Sequence, residues 1–318
     1  MKYAVVLAAA VILVVSTVSI SPAQPPAPPA AAQAPTQSDE KTNITIEVSR
    51  VQLLFTVSDK KGRFVTNLSK DDFEVFEAKK PQSIVEFNAE TNLPLRLAIL
   101  IDTSNSIRER FKFQQEAATD FVNTVIREHE DKAVVVSFDT AAELVADMTD
   151  DTEKLGKAIH GLRPGGGTAL YDAVFFACRD KLLQDQPKFK YRHAMVIISD
   201  GDDNQSRWTR EQALEMAHKA DTVIYAISTN RSGIEGDGDK VLKYFADQTG
   251  GQVFFPFKAQ DLAQDFENIA NELRHQYNVL YRPEPLKADG LYHPVDVKVR
   301  NRKDLIVRAR HGYYAPSM

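Results

Sequence analysis

Three short segments hold the side chains of this 318-residue chain best suited to chemistry. Asp102-Thr103-Ser104-Asn105-Ser106 follows the apolar run Leu97 to Ile101. Thr168 follows Gly165-Gly166-Gly167, and Asp200 follows the run Ala194 to Ser199. Together Asp102, Ser104, Ser106, Thr168 and Asp200 offer two carboxylates and three hydroxyls. Hard divalent cations take oxygen ligands, and Mg²⁺ favours near-octahedral geometry while keeping some of its waters. Two carboxylates balance a dication, so the set makes a nearly neutral cage. The plainer reading is a set of helix N-caps, since Ser, Thr and Asp cap well. Ser106 or Thr168 alone fits that reading, but five oxygens at three junctions exceed what capping requires.

Such residues converge only if the surrounding elements bring them to one edge. Leu97 to Ile101 and Ala194 to Ser199 are continuous apolar runs, as expected of strands covered on both faces. Further strands are expected at 133–138, 144–148, 223–228 and 252–255. Helical spacing marks 107–126, 152–162, 168–183, 209–220, 240–248 and 259–274. Thr209 with Gln212 three residues on has capping-box spacing. Strands alternating with helices predict an α/β domain over 95–275, doubly wound around a mostly parallel sheet. Ligands of such sheets bind at the carboxyl ends of the strands. All three oxygen-bearing segments follow or flank such ends.

The flanks have a different rhythm. Residues 43–92 alternate in the manner of strands, as in Phe73 to Glu77 and Ile84 to Phe87. The same pattern returns over 276–318, with strands expected at 277–281, 295–299 and 305–309. Without crossover helices these cannot extend a parallel sheet. The two flanks are therefore expected to pair in one small β-module, into which the α/β domain is inserted. At the N-terminus, Met1-Lys2 precedes the uncharged apolar run Ala4 to Ile20 and the small residues Ser21-Pro22-Ala23. This reads as a signal peptide over 1–23 and an exported protein, secreted or held in the periplasm or cell envelope. Membrane contact is expected only if the leader is retained. Residues 24–42, dense in Pro, Ala and Gln, read as a linker.

Composition narrows the function. The formal charge of −5 and the lack of a clustered basic face argue against a nucleic-acid partner. The single cysteine, Cys178, allows no internal disulfide and reads as a buried structural thiol. Gly165 to Gly167 lacks the context of a phosphate-binding loop. No histidine pair has metal-ligand spacing. Asp202, Asp203 and Asn204 read as a solvated loop or as an extension of the site, and Trp208 as a packing residue or a rim contact.

The pattern D-x-S-x-S after a buried strand, then G-G-T, then S-D-G after another, resembles the metal-ion-dependent adhesion site of von Willebrand factor A domains. Asp102, Ser104, Ser106, Thr168 and Asp200 agree with that pattern in order, within a resemblance covering about residues 95–275. The β-rich flanks are similar to the acidobacterial von Willebrand factor A-related domains. The resemblance implies a six-stranded sheet with one antiparallel edge, fitting the short strand at 144–148. It also implies a Mg²⁺, Mn²⁺ or Ca²⁺ ion approached by the Ser104, Ser106 and Thr168 hydroxyls, with Asp102 and Asp200 acting largely through water. The implied activity is metal-dependent protein binding or adhesion without catalysis, the partner presenting an acidic residue. A metal-dependent hydrolase and a scaffold with a purely structural cation are the alternatives. No nucleophile–His arrangement accompanies the site, which weighs against the hydrolase.

Overall fold

The computed structural model describes residues 50–89, 93–108, 111–230, 234–256 and 259–317. The expected signal peptide and linker lie outside these residues. No helix among the described residues is long and apolar enough to cross a membrane.

The central sheet has six strands. They are β5 (Leu95–Asp102), β6 (Lys132–Phe138), β7 (Ala142–Thr149), β8 (Arg192–Ser199), β9 (Thr222–Ser228) and β10 (Val253–Phe254), numbered after four strands of the N-terminal flank. Their order across the sheet is β10-β9-β8-β5-β6-β7. All pairs are parallel except β6 with β7. The antiparallel edge was legible as 144–148 and is longer in the structure. The strand expected at 252–255 shortens to two residues.

Every residue of β5 and β8 is buried. Alternate residues serve opposite layers, as the two-residue strand period requires. Leu95, Leu97, Ile99 and Ile101 pack against α1 (Phe111–Val125), α2 (Thr152–Gly161) and α6 (Ala259–Arg274). Ala98 and Leu100 pack against α3 (Leu170–Phe176), α4 (Arg210–Lys219) and α5 (Asp237–Thr249). Thr209 and Gln212 form the expected capping box at the start of α4. The helix expected over 168–183 starts later, at Leu170, because the Thr168 carbonyl is taken by the Asn204 and Gln205 N–H groups. Beyond Phe176 it continues as a wider π turn, Ala177–Lys181, for which the sequence carries no signal. Cys178 is fully buried there, and burial pushes its thiol up to about 12.

The flanks form two four-stranded antiparallel sheets. The N-terminal flank gives β1 (Val51–Asp59), β2 (Phe73–Glu77), β3 (Lys80–Gln82) and β4 (Ile84–Asn88). The C-terminal flank gives β11 (Tyr277–Tyr281), β12 (Tyr292–Val299), β13 (Leu305–Ala309) and β14 (Gly312–Tyr314). Strand orders are β13-β1-β11-β4 and β14-β12-β2-β3, so strands from both ends of the sequence share each sheet. Phe55, Phe73, Val75, Tyr277, Val279 and Val297 lie in the core between them. Glu77 ties the flanks together: it accepts from the Tyr281 hydroxyl at 2.8 Å and meets His293 Nδ1 at 2.9 Å.

Candidate metal centre

The chain runs outward from β5 through β6 to β7 on one side, then returns to β8 and runs outward through β9 to β10 on the other. The reversal lies between β5 and β8, and open α/β sheets bind ligands at such a switch point. Ile101 pairs with Ile198, so the next residues, Asp102 and Ser199, stand level at the carboxyl edge. Asp102 is fully buried there. Its Oδ1 accepts from the Ser104 N–H at 2.8 Å and its Oδ2 from the Ser199 hydroxyl at 2.6 Å.

The remaining candidates are tied to this point by backbone contacts. The Ser104 and Ser106 hydroxyls lie 2.9 Å apart, the first buried and the second exposed. The Gly165 N–H donates to the Thr103 carbonyl at 2.6 Å, and the Asn105 N–H to the Gly166 carbonyl at 3.4 Å. These bonds hold the loop before Thr168 against the 102–106 turn. Gly166 has φ +81°, and Thr140 and Asp139 crowd its α-carbon, so glycine is required there. Asp200 follows β8, half-buried, close enough to Asp102 for their like charges to interact. The structure thus brings Asp102, Ser104, Ser106, Thr168 and Asp200 to one edge.

Capping does not explain the hydroxyls. Ser104 precedes a short 3₁₀ turn, Asn105–Ile107, without a side-chain cap bond. Thr168 lies one residue before the N-cap of α3, which is Ala169. The first amides of α3 are served instead from the 200–208 loop: Tyr171 N–H donates to Asp203 Oδ2 at 3.0 Å and Asp172 N–H to the Ser206 hydroxyl at 3.0 Å. The Thr168 hydroxyl makes no hydrogen bond among the described residues, although Thr168 is buried.

A divalent cation fits this donor set. Two cis oxygens on an octahedral ion with bonds of about 2.1 Å stand roughly 3.0 Å apart, whereas Ca²⁺ at 2.3–2.6 Å spreads them to roughly 3.3–3.7 Å. The Ser104 and Ser106 hydroxyls hydrogen-bond to each other at 2.9 Å, which already places the two oxygens close enough to share one small ion. Burial, helped by Asp200, raises the Asp102 carboxyl to about 6 against the pull of its Ser199 and Ser104 bonds. A nearby positive charge would relieve this. Among the described residues no three His, Cys, Asp or Glu side chains gather as a metal site, so such an ion would rest on hydroxyls beside two carboxylates.

Sequence reasoning passed over Ser199 and read Asp203 and Asn204 as a solvated loop or an extension of the site, and all three build this edge. Ser199 orients Asp102 and also accepts the Gly201 N–H at 3.0 Å. Asn204 accepts the Thr168 N–H at 3.0 Å, and Asp203 fastens the loop to α3. Asp203 and Asn204 are therefore positioning residues, neither freely solvated nor candidate ligands. Gly201, at φ +81°, lies against Gly238 so closely that a Cβ on either would collide with the other segment. Trp208 stacks on Phe175 at 3.9 Å and stays partly exposed, so it both packs and borders the edge.

Residues 97–202 match the family model described as von Willebrand factor type A domain. Over that third of the chain the sequence is similar to a von Willebrand factor type A domain. No curated protein matches at a significant level. Similar solved structures include a von Willebrand factor type A protein from Catenulispora acidiphila, 14% identical with a TM-score of 0.49, covering 86% of this chain and 75% of that one. The PilB minor pilin from Streptococcus sanguinis, in its D319A mutant, is 14% identical with a TM-score of 0.47, covering 58% of this chain. Proximal thread matrix protein 1 from the mussel byssus, solved with a zinc-occupied MIDAS motif, is 18% identical with a TM-score of 0.49, covering 62% of this chain. This chain spans 62% of the length of the pilin and 49% of the mussel protein.

Proposed function

We propose that this is an exported, non-catalytic binding protein that takes a divalent cation, Mg²⁺ or Mn²⁺, at the β5–β8 edge and uses it to hold an acidic residue of a protein partner. The observation that carries this reading is the gathering of three hydroxyls and two carboxylates at the switch point, with the Ser104 and Thr168 hydroxyls unspent on helix caps. When bound, the ion supplies a Lewis-acidic position open to an incoming carboxylate. Ser104, Ser106 and Thr168 hold it through neutral oxygens. Asp102 and Asp200 supply the balancing charge. Ser199 fixes the Asp102 carboxylate, and Asn204 fixes the Thr168 backbone. The exposed side of Ser106 leaves the edge accessible to a partner. Export rests on the N-terminal charge and apolar pattern, and adhesion is the setting that such binding suits.

Electron paramagnetic resonance of bound Mn²⁺ tests the reading, with glutarate as the carboxylate probe. Wild-type protein should bind one Mn²⁺ and its spectrum should change as glutarate is added, while Asp102→Ala and Ser104→Ala should show neither effect. A bound Mn²⁺ blind to glutarate supports the scaffold alternative. Magnesium-dependent release of nitrophenol from phosphate or ester substrates supports the hydrolase.

A further inference from the structure

A second concave site lies away from the candidate metal edge. It is a cleft of about 730 Å³ between the α/β domain and the β-module. One wall is the segment 186–189, before β8, with Lys219 and Asp221, before β9. This is the amino end of those strands, opposite the edge that holds Asp102 and Asp200. The other wall comes from β1, β11 and the last residues of the chain. The volume is that of a site for one small ligand.

The lining has two characters. Phe189, Leu286, Leu280, Tyr313 and Pro316 make an apolar surface, and Phe189 and Leu286 remain 55% and 41% exposed at its mouth. Arg50, Lys188, Lys219, Lys287 and Arg310 line it beside Glu86 and Asp221. Arg50 is paired with Glu86 and Lys219 with Glu215, so the positive excess is carried by Lys188, Lys287 and Arg310, against which the lining sets the Asp221 carboxylate alone. Asp221 serves both Arg310 and Lys188, the latter at 3.1 Å. Lys287 has no ion pair among the described residues. The Arg310 side chain is nine-tenths buried: Nη1 donates to Asp221, Nη2 to the Gln52 carbonyl at 2.6 Å, and Nε is enclosed without a partner among the described residues, so Arg310 supplies charge to the cleft and no free donor. A bare inorganic anion would leave the apolar wall wet, and a cationic ligand would meet the excess of positive charge.

We propose that this cleft binds a single-chain anionic amphiphile, its acidic headgroup among Lys188, Lys287 and Arg310 and its apolar chain against Phe189, Leu286 and Tyr313. Occupancy would bridge the α/β domain and the β-module. It does not depend on a cation at the other edge.

Calorimetric titration of the protein in excess chelator tests this, with each probe kept below its micelle-forming concentration. Dodecyl phosphate and dodecanoate should each saturate at one per chain, the tighter of the two naming the headgroup. Dodecyltrimethylammonium, with the same tail, and inorganic phosphate, with no tail, should bind at least about tenfold more weakly. Exposed Lys287 and Leu286 can be changed without opening the core. Lys287→Glu and Leu286→Asp should each weaken the anionic probes by about tenfold, with unchanged melting temperatures. Equal affinity for the cationic and anionic probes, absence of saturation, or wild-type affinity in both variants would overturn the assignment.

Discussion

Gly201→Ala measures how rigidly the Asp200 loop is held. Gly201 sits at φ +81°, and an added methyl would stand 2.9 Å from Gly238 Cα and nearer to its carbonyl. Carbon atoms pack at about 3.5–4.0 Å, so either the loop or the start of α5 must move by more than half an ångström. Gly62 supplies the matched control: its φ is +79°, and nothing lies within 4 Å of its Cβ position. The left-handed conformation costs alanine about 1 kcal/mol at both sites. Overpacking against backbone adds roughly 1 to 3 kcal/mol at Gly201 alone. Urea unfolding of the metal-free protein should therefore show Gly62→Ala down by about 1 kcal/mol and Gly201→Ala down by roughly 2 to 4 kcal/mol. The unfolded-state effect of replacing glycine is common to both and cancels in the difference. Because the displaced loop carries Asp200, Mn²⁺ affinity should fall about tenfold or more in Gly201→Ala and stay unchanged in Gly62→Ala. Equal stability losses in the two variants would refute the close-approach argument. A large loss for Gly201→Ala with intact Mn²⁺ affinity would remove Asp200 from the site.

Other parts of the structure make independent predictions. His218 is buried, neither ring nitrogen has a hydrogen-bond partner among the described residues, and burial with nearby Arg310 pushes its pKa down to about 4. The unfolded chain takes up this proton near pH 6.5 and the folded chain only near 4, so stability should fall by roughly 3 kcal/mol as pH drops across that window and then level off. His218→Leu should flatten that slope in urea titrations run from pH 7 to 4. Ser199→Ala removes the buried bond to the Asp102 carboxylate and should cost roughly 1.5 to 3 kcal/mol in unfolding free energy, with weaker Mn²⁺ binding. Cys178, fully buried with its thiol raised to about 12, should react with a thiol reagent only at the rate of unfolding, as a urea series of labelling rates would show.

Much of the fold was legible because its signals are local. The runs at β5 and β8 are apolar at every position, since both sheet faces are covered, and the helices between them keep their spacing. The flanks were legible as strands, and their pairing followed from the lack of crossover helices after Tyr277. Four of the five oxygen-bearing residues stood at or just after the ends of these runs and Thr168 before a helix, and the structure brings them to one edge. The supporting residues were harder to see, because they depend on register. Ser199 faces Asp102 only because Ile101 pairs with Ile198. Asp203 and Asn204 are ordinary loop residues in sequence and become fasteners only once their loop lies against α3. The cleft behind Arg310 joins residues from both ends of the chain and the middle, which no local pattern announces.

The central claim is that the β5–β8 edge holds one cation through hydroxyl oxygens, and calorimetric titration of Mg²⁺ and Mn²⁺ into the metal-free protein tests it most directly. One-site binding by the wild type, lost in Asp102→Ala/Ser104→Ala, is the predicted result. Binding of equal strength in that variant, or no binding by the wild type, would contradict it.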